Sequence, residues 1–129
     1  MIKFVIKGKK NPQKKTETKY YAQAAAATPL TLSQIVKLIE KRSTVSSSDI
    51  KAVLDALQFE IIQALQNGNS VRLGDLGSFH ITISSNGAAT REDAQKAGAR
   101  LIKKVMVQFV KSAEMARAFA LDELSFMQE

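Results

Sequence analysis

Few side chains in this 129-residue sequence could carry out covalent chemistry. It holds one histidine, His80, and no cysteine, which excludes a thiolate nucleophile, a zinc-thiolate site and a disulfide framework, and suits a reducing cytoplasm. No His-Glu-x-x-His, Walker or Gly-x-Gly-x-x-Gly spacing is present. The carboxylate pairs Glu92-Asp93 and Asp122-Glu123 are sequence neighbours beside solvent-type residues, with no apolar pocket evident to raise a pKa for general acid–base work. A lone histidine in a strand is expected at the surface rather than on a metal. The sequence therefore predicts a non-enzymatic protein with no cofactor, no metal and no small-molecule substrate.

What remains is the chemistry of cations. The formal charge of +7 is segmental: residues 1–21 hold Lys3, Lys7, Lys9, Lys10, Lys14, Lys15 and Lys19 against Glu17 alone, and the rest of the chain is nearly balanced. A second basic stretch contains Arg100, Lys103, Lys104 and Lys111, while Glu114, Asp122, Glu123 and Glu129 make the tail acidic. Clustered lysine and arginine suit a polyanionic partner, because each neutralised phosphate releases condensed counterions. An isolated surface cation is ordinarily just a solvated charge, so the weight lies on the clusters.

Several elements must position these cations. Ile2, Phe4 and Ile6 alternate on one face of a predicted strand, and Thr16 to Tyr21 resumes extended character after Gly8-Lys9-Lys10-Asn11-Pro12, which predicts a lysine-rich β-hairpin. Ala22 to Pro29 reads as a linker, since Pro29 disfavours a helical Thr28. The expected division is a basic extension over 1–29 and a main domain over 30–129. Thr31 with Gln34 and Ser46 with Asp49 have N-capping spacing, and the apolar residues that follow each recur at helical intervals, giving a helix to about Arg42 and a longer one closed by Asn67-Gly68. From Val71 the period becomes two. Val71 and Leu73 share a face, as do Phe79, Ile81 and Ile83, and Gly74 and Gly77 between them suggest a tight bend. Residues 84–99 leave an extended arm, a short helix capped at Thr90 and a loop all open. Val105, Val107 and Phe109 alternate again, and Ser112 can cap a last helix bearing Met115 and Phe119. No stretch is long enough to span a membrane, and the first apolar residues are too short a run for a signal peptide.

Thr31 to Val71 resembles the opening helix pair of the HU and integration host factor family. The run Leu73-Gly74-Asp75-Leu76-Gly77-Ser78-Phe79 is similar to that family's hydrophobic-Gly-Phe-Gly-Thr/Ser-Phe corner, with Asp75 replacing a glycine. Val107 to Met115 looks like its final strand and short helix, with Val107 where a proline is common and Ser112 in place of a glycine. The resemblance covers roughly residues 31–120. It implies an α+β, HU-like fold with a two-helix hairpin, an antiparallel sheet and a short C-terminal helix, here preceded by the added β-hairpin. It also implies an intertwined homodimer in the bacterial nucleoid, with a sheet saddle and two arms that embrace DNA through the minor groove.

On that basis the expected contacts to duplex DNA are Arg72, Ser78, Arg91, Arg100, Lys103 and Lys104, with Arg72 and Lys104 on the polar face of the saddle and the Ser78 hydroxyl suited to phosphate. The arm region departs from the family. Residues 84–99 lack the Arg-Asn-Pro tip, and their bases, Arg91 and Lys96, are offset by Glu92 and Asp93. A comparable string, Lys10-Asn11-Pro12-Gln13-Lys14, lies instead in the N-terminal hairpin, so Lys9, Lys10, Asn11, Pro12, Lys14 and Lys15 are candidates for a displaced arm; a plain turn with a lysine-protected edge is the competing reading. The leading expectation is architectural duplex DNA binding with little sequence preference. The alternative is a protein-interaction or scaffolding module that keeps the dimer without DNA bending. A third option, single-strand or RNA binding, would use Phe4, Tyr20 and Tyr21 beside the lysines.

Overall fold

The computed structural model describes residues 1–14 and 16–129; Lys15 lies outside the described residues. Two helices open the central body, α1 (Leu32–Arg42) and α2 (Ser47–Gln66). Both start where the capping spacing placed them. Thr31 Oγ1 accepts from the Gln34 amide at 3.3 Å, and Gln34 Oε1 accepts from the Thr31 amide at 2.8 Å. Ser46 Oγ accepts from the Asp49 amide at 3.3 Å. Each bond satisfies an amide that lacks a partner within the helix. Among the described residues the buried hydrophobic side chains are Val36 on α1, Ile50 in the first turn of α2 and Leu65 near its end, the last beside the sheet described next.

Strands β3 (Val71–Leu73), β4 (Gly77–Ser85) and β5 (Ile102–Lys111) then form an antiparallel sheet in that order. The register pairs Val71 with Phe79, Phe79 with Phe109, Ile81 with Val107 and Ile83 with Val105, so one face is apolar. The Phe79 and Phe109 rings pack in a tilted arrangement, 5.0 Å between centroids. The bend expected at the paired glycines is the turn between β3 and β4. Gly77 leaves no room for a side chain, because a Cβ there would lie 2.3 Å from the Val110 carbonyl oxygen and 2.7 Å from the Phe109 ring. The corner is tied to the chain end through Ser112, whose amide donates to the Leu76 carbonyl at 3.0 Å and whose hydroxyl donates to the Asp75 carbonyl. Ser112 Oγ also caps α4 (Ala113–Ala118), accepting from the Met115 amide at 3.0 Å. Phe119, expected inside this helix, ends it as the C-cap residue.

Of the three options for residues 84–99, the short helix is the one observed: α3 (Arg91–Ala97) starts at Thr90, whose hydroxyl accepts from the Asp93 amide at 3.1 Å, and a 3-10 turn over Gly98–Leu101 leads into β5.

The N-terminal hairpin forms as expected from β1 (Ile2–Lys10) and β2 (Thr18–Ala24). Two features were not expected. Ala22 and Ala24 belong to β2 rather than to a linker, because residues 22–24 pair with Ile6, Val5 and Phe4 and gain ladder hydrogen bonds that an alanine run alone does not foretell. The chain end also returns as a short strand, β6 (Phe126–Gln128), parallel to β1, giving a second three-stranded sheet in the order β2-β1-β6. The Ile2 amide donates to the Ser125 carbonyl and the Glu129 amide to the Phe4 carbonyl, each at 2.9 Å.

Candidate nucleic-acid interface

The face of the β3-β4-β5 sheet opposite the apolar one is built by alternation. Across its strands Arg72 faces Ser78, Ser84 faces Lys104, and His80 and Thr82 lie between, opposite Gln108 and Met106. Arg72, Ser78 and Lys104 thus share the polar face, and no carboxylate stands on it. The cations sit at opposite ends. Six residues of β4 separate the rungs that hold them, roughly 20 Å at the usual strand rise. A duplex presents about a dozen phosphate charges over that length. Arg72 further borders a hollow of about 530 Å³ at the corner, whose walls include Asp75 and Glu114 as well as Ser78 and Lys111. No salt bridge to Arg72 forms among the described residues.

The other cations expected around the saddle are placed differently. Lys103 is the extra residue of a β-bulge, since Ser84 pairs with Lys104 and Ser85 with Ile102. Arg100 turns back on its own chain, donating to the Ala97 and Lys96 carbonyls at 3.4 Å each, where it caps the end of α3. Arg91 opens α3, directly followed by Glu92 and Asp93. The Arg100 and Arg91 side chains are therefore not gathered with Arg72 and Lys104 on one ladder.

In the hairpin, Lys9, Lys10, Asn11 and Pro12 do come together with Lys19 and Tyr21 around a groove of about 420 Å³. Asn11 Oδ1 accepts from the Gln13 amide at 3.0 Å, a side-chain turn that fixes the bend at Pro12. Lys14 reaches Glu17 at 3.9 Å, an exposed contact. Lys15 is outside the described residues. Strand alternation separates Lys9 from Lys10. Lys3, Lys7, Lys9, Lys19 and Tyr21 share one face, whereas Lys10 falls with Ile2, Phe4 and Ile6 on the other. Lys3, Lys7 and Lys19 were not singled out from the sequence, although the two-residue period of β1 already carried the signal for Lys3 and Lys7. Among the described residues no group of histidine, cysteine or carboxylate side chains could hold a metal ion, and no helix is long and apolar enough to cross a membrane.

Residues 1–126 match the model of a family described as an HU domain fused to a winged helix-turn-helix, immunoglobulin-like or glycine-rich motif. The DNA-binding protein HU of Buchnera aphidicola subsp. Baizongia pistaciae is 39% identical over 49 residues, a stretch that is 38% of this chain and 53% of that protein, so the match spans about half the length of the curated relative. Among solved structures, a point mutant of HU from Thermotoga maritima superimposes with a TM-score of 0.53 at 15% identity, over 70% of this chain and all of that one. A candidate bacterial DNA-binding protein from Bacteroides vulgatus superimposes with a TM-score of 0.67 at 12% identity, over 98% of this chain and 47% of that one. These two likenesses concern the fold, and the second reaches across nearly the whole chain.

Proposed function

The chain belongs to the family of HU domains fused to further motifs, and from that premise we propose that it is an architectural protein binding duplex DNA, with little sequence preference, as a homodimer in the nucleoid. HU is a non-enzymatic DNA-binding protein family, and the Buchnera relative carries that binding in its name. The observation that carries the reading is the polar face of β3-β4-β5, which combines Arg72, Lys104 and the Ser78, Thr82 and Ser84 hydroxyls without a carboxylate. Such donors hold phosphate and sugar and carry no base code. Replacement of the arm by α3 removes the extended wedge through which HU-type proteins open a base step, so contact without intercalation is the expected mode.

Support for the dimer is physical. The chain exposes 10915 Å², whereas a folded monomer of this mass is expected to expose about 6,700 Å². The exposed apolar side chains include Val53, Phe59 and Ile62 on α2 and Val105 and Val107 on the sheet, which suit burial against a second copy.

The test is a titration of a labelled random-sequence duplex across a salt series. Affinity should fall steeply, linearly in log salt, with about 0.9 of slope for each phosphate neutralised. An absence of binding at low salt would sink the proposal. One observation favours a second reading, a protein-interaction module: the apolar face of the N-terminal sheet, with Ile2, Phe4 and Phe126, lines an open surface that no other element among the described residues covers. A stable dimer without DNA affinity would select it.

A further inference from the structure

We infer that the cationic face of the β2-β1-β6 sheet is a contact surface for the phosphate backbone of duplex DNA in its own right, separate from the β3-β4-β5 face; this rests on the DNA-binding reading above. The face carries Lys3, Lys7, Lys9 and Lys19, with Tyr21 opposite Lys7. Its density is unlike that of the other sheet. Lys7 and Lys9 stand two residues apart along β1, about 6.8 Å, and Lys9 lies directly opposite Lys19.

Like charges directly opposite each other on a sheet are destabilising. Here no carboxylate relieves them: among the described residues the lysine ion pair of this region is Lys14 with Glu17, at the turn, and Glu129 falls at the far end of the sheet beyond Gln128. A repulsive pair without an internal counterion is relieved when a polyanion covers it. The groove beside it, lined by Lys9, Lys19 and Tyr21, supplies ammonium and phenol donors together. Both groups position a backbone without reading bases, and lysine in particular senses charge more than shape.

The layout favours a duplex backbone over a stacked single strand. Tyr20 is on the opposite face, with its ring lying over Gly8, where an added Cβ would come within 3.0 Å of Tyr20 Cε1. Phe4 is also on that opposite face and half-buried. The cationic face is left with one aromatic ring, too few for a stacking platform.

Two charge-matched variants of the full chain test the inference, Lys9→Gln/Lys19→Gln on the cationic face and Lys37→Gln/Lys41→Gln, both exposed on α1. Binding to a random-sequence duplex is followed across a salt series, with circular dichroism to show that each variant is folded. The first pair should make the log-log slope shallower by about 1.8 for each hairpin engaged, and the second by less than half as much. Equal or reversed losses overturn the inference, as does tighter binding of a single strand than of a duplex of the same length. If Arg72→Gln/Lys104→Gln reduces the slope while Lys9→Gln/Lys19→Gln does not, the DNA reading stands and this inference fails. A wild-type chain without salt-dependent binding removes both.

Discussion

In both three-stranded sheets one face is apolar and the other holds cations, but the two are finished differently. The β3-β4-β5 sheet has α2 beside its apolar face: Ile62 and Leu65 meet Ile81, Val105 and Val107 around a small hollow of about 170 Å³. The apolar face of β2-β1-β6 stays open along Ile2, Phe4, Ala22 and Phe126. The cations run the opposite way. The body sheet spreads two over roughly 20 Å, whereas the N-terminal sheet sets three within about two strand residues of one another. One sheet is specialised for holding the fold together and the other for charge. Hydrophobic cover and phosphate affinity need not reside in the same element.

The cover of the body sheet should be the easiest part of this contrast to break. Even with α2 in place Val107 is 61% exposed and Phe59 on α2 is 59% exposed, so both are expected to meet a second copy. Phe59→Asp should put a charge into that contact and weaken association by about 3 kcal/mol or more, over a hundredfold in Kd. Sedimentation would show the wild type at twice 14.1 kDa and the variant as an unstable monomer. A wild type that is monomeric and stable at tens of micromolar would refute the dimer. Next in size is Gly77→Ala, which forces a Cβ against the Val110 carbonyl and the Phe109 ring and should cost about 3 kcal/mol. Thermal unfolding should shift by on the order of 10 °C. No shift would mean that the corner is not the constraint on the body sheet.

The same contrast explains what could be seen in advance. Both helices, their caps and the two-residue period of β4 and β5 were legible because each is a local pattern with a local cause, as Thr31 with Gln34 and Phe79 with Ile81 illustrate. Strand β6 was not legible. Phe126-Met127-Gln128 is too short to show a period, and its partner lies more than a hundred residues away at Ile2 to Phe4. The capping of α3 by Arg100 was hidden for a related reason, since a basic residue looks the same whether it is aimed at a phosphate or at carbonyls of its own chain. Of the candidate site, Arg72 and Lys104 followed from alternation alone. The lysine face of β1 follows from the same alternation, whereas Lys9 and Lys10 beside the Asn11-Pro12 turn are neighbours in sequence, and neighbours on a strand point to opposite faces.

A smaller effect comes from the body sheet's charges one at a time. Lys104→Gln should reduce the salt slope by about 0.9 for each phosphate contact it makes and leave the melting temperature within a degree or two, because its side chain is exposed on the polar face. A slope loss as large as that of the whole Lys9/Lys19 pair would reverse the assignment of charge density to the N-terminal sheet.

The smallest change expected in DNA binding is from removing residues 125–129, and it probes whether the N-terminal sheet is a unit without its third strand. The deletion exposes the Ile2 amide and Phe4 carbonyl on the β1 edge and uncovers more of an already open apolar face, yet the seven rungs between β1 and β2 remain. Phe126 is 46% and Met127 45% exposed, so each gives up about half of a side chain's burial, and the cost should be about 2 kcal/mol. Hydrogen exchange should quicken at Ile2 to Phe4 and stay unchanged in β4 and β5. DNA affinity should hold, because Lys7, Lys9 and Lys19 lie beyond the β6 pairing. Loss of protection throughout β1 and β2, with a matching fall in the salt slope, would show that the chain end organises the lysine face, and the two sheets would then differ in what closes them rather than in what they bind.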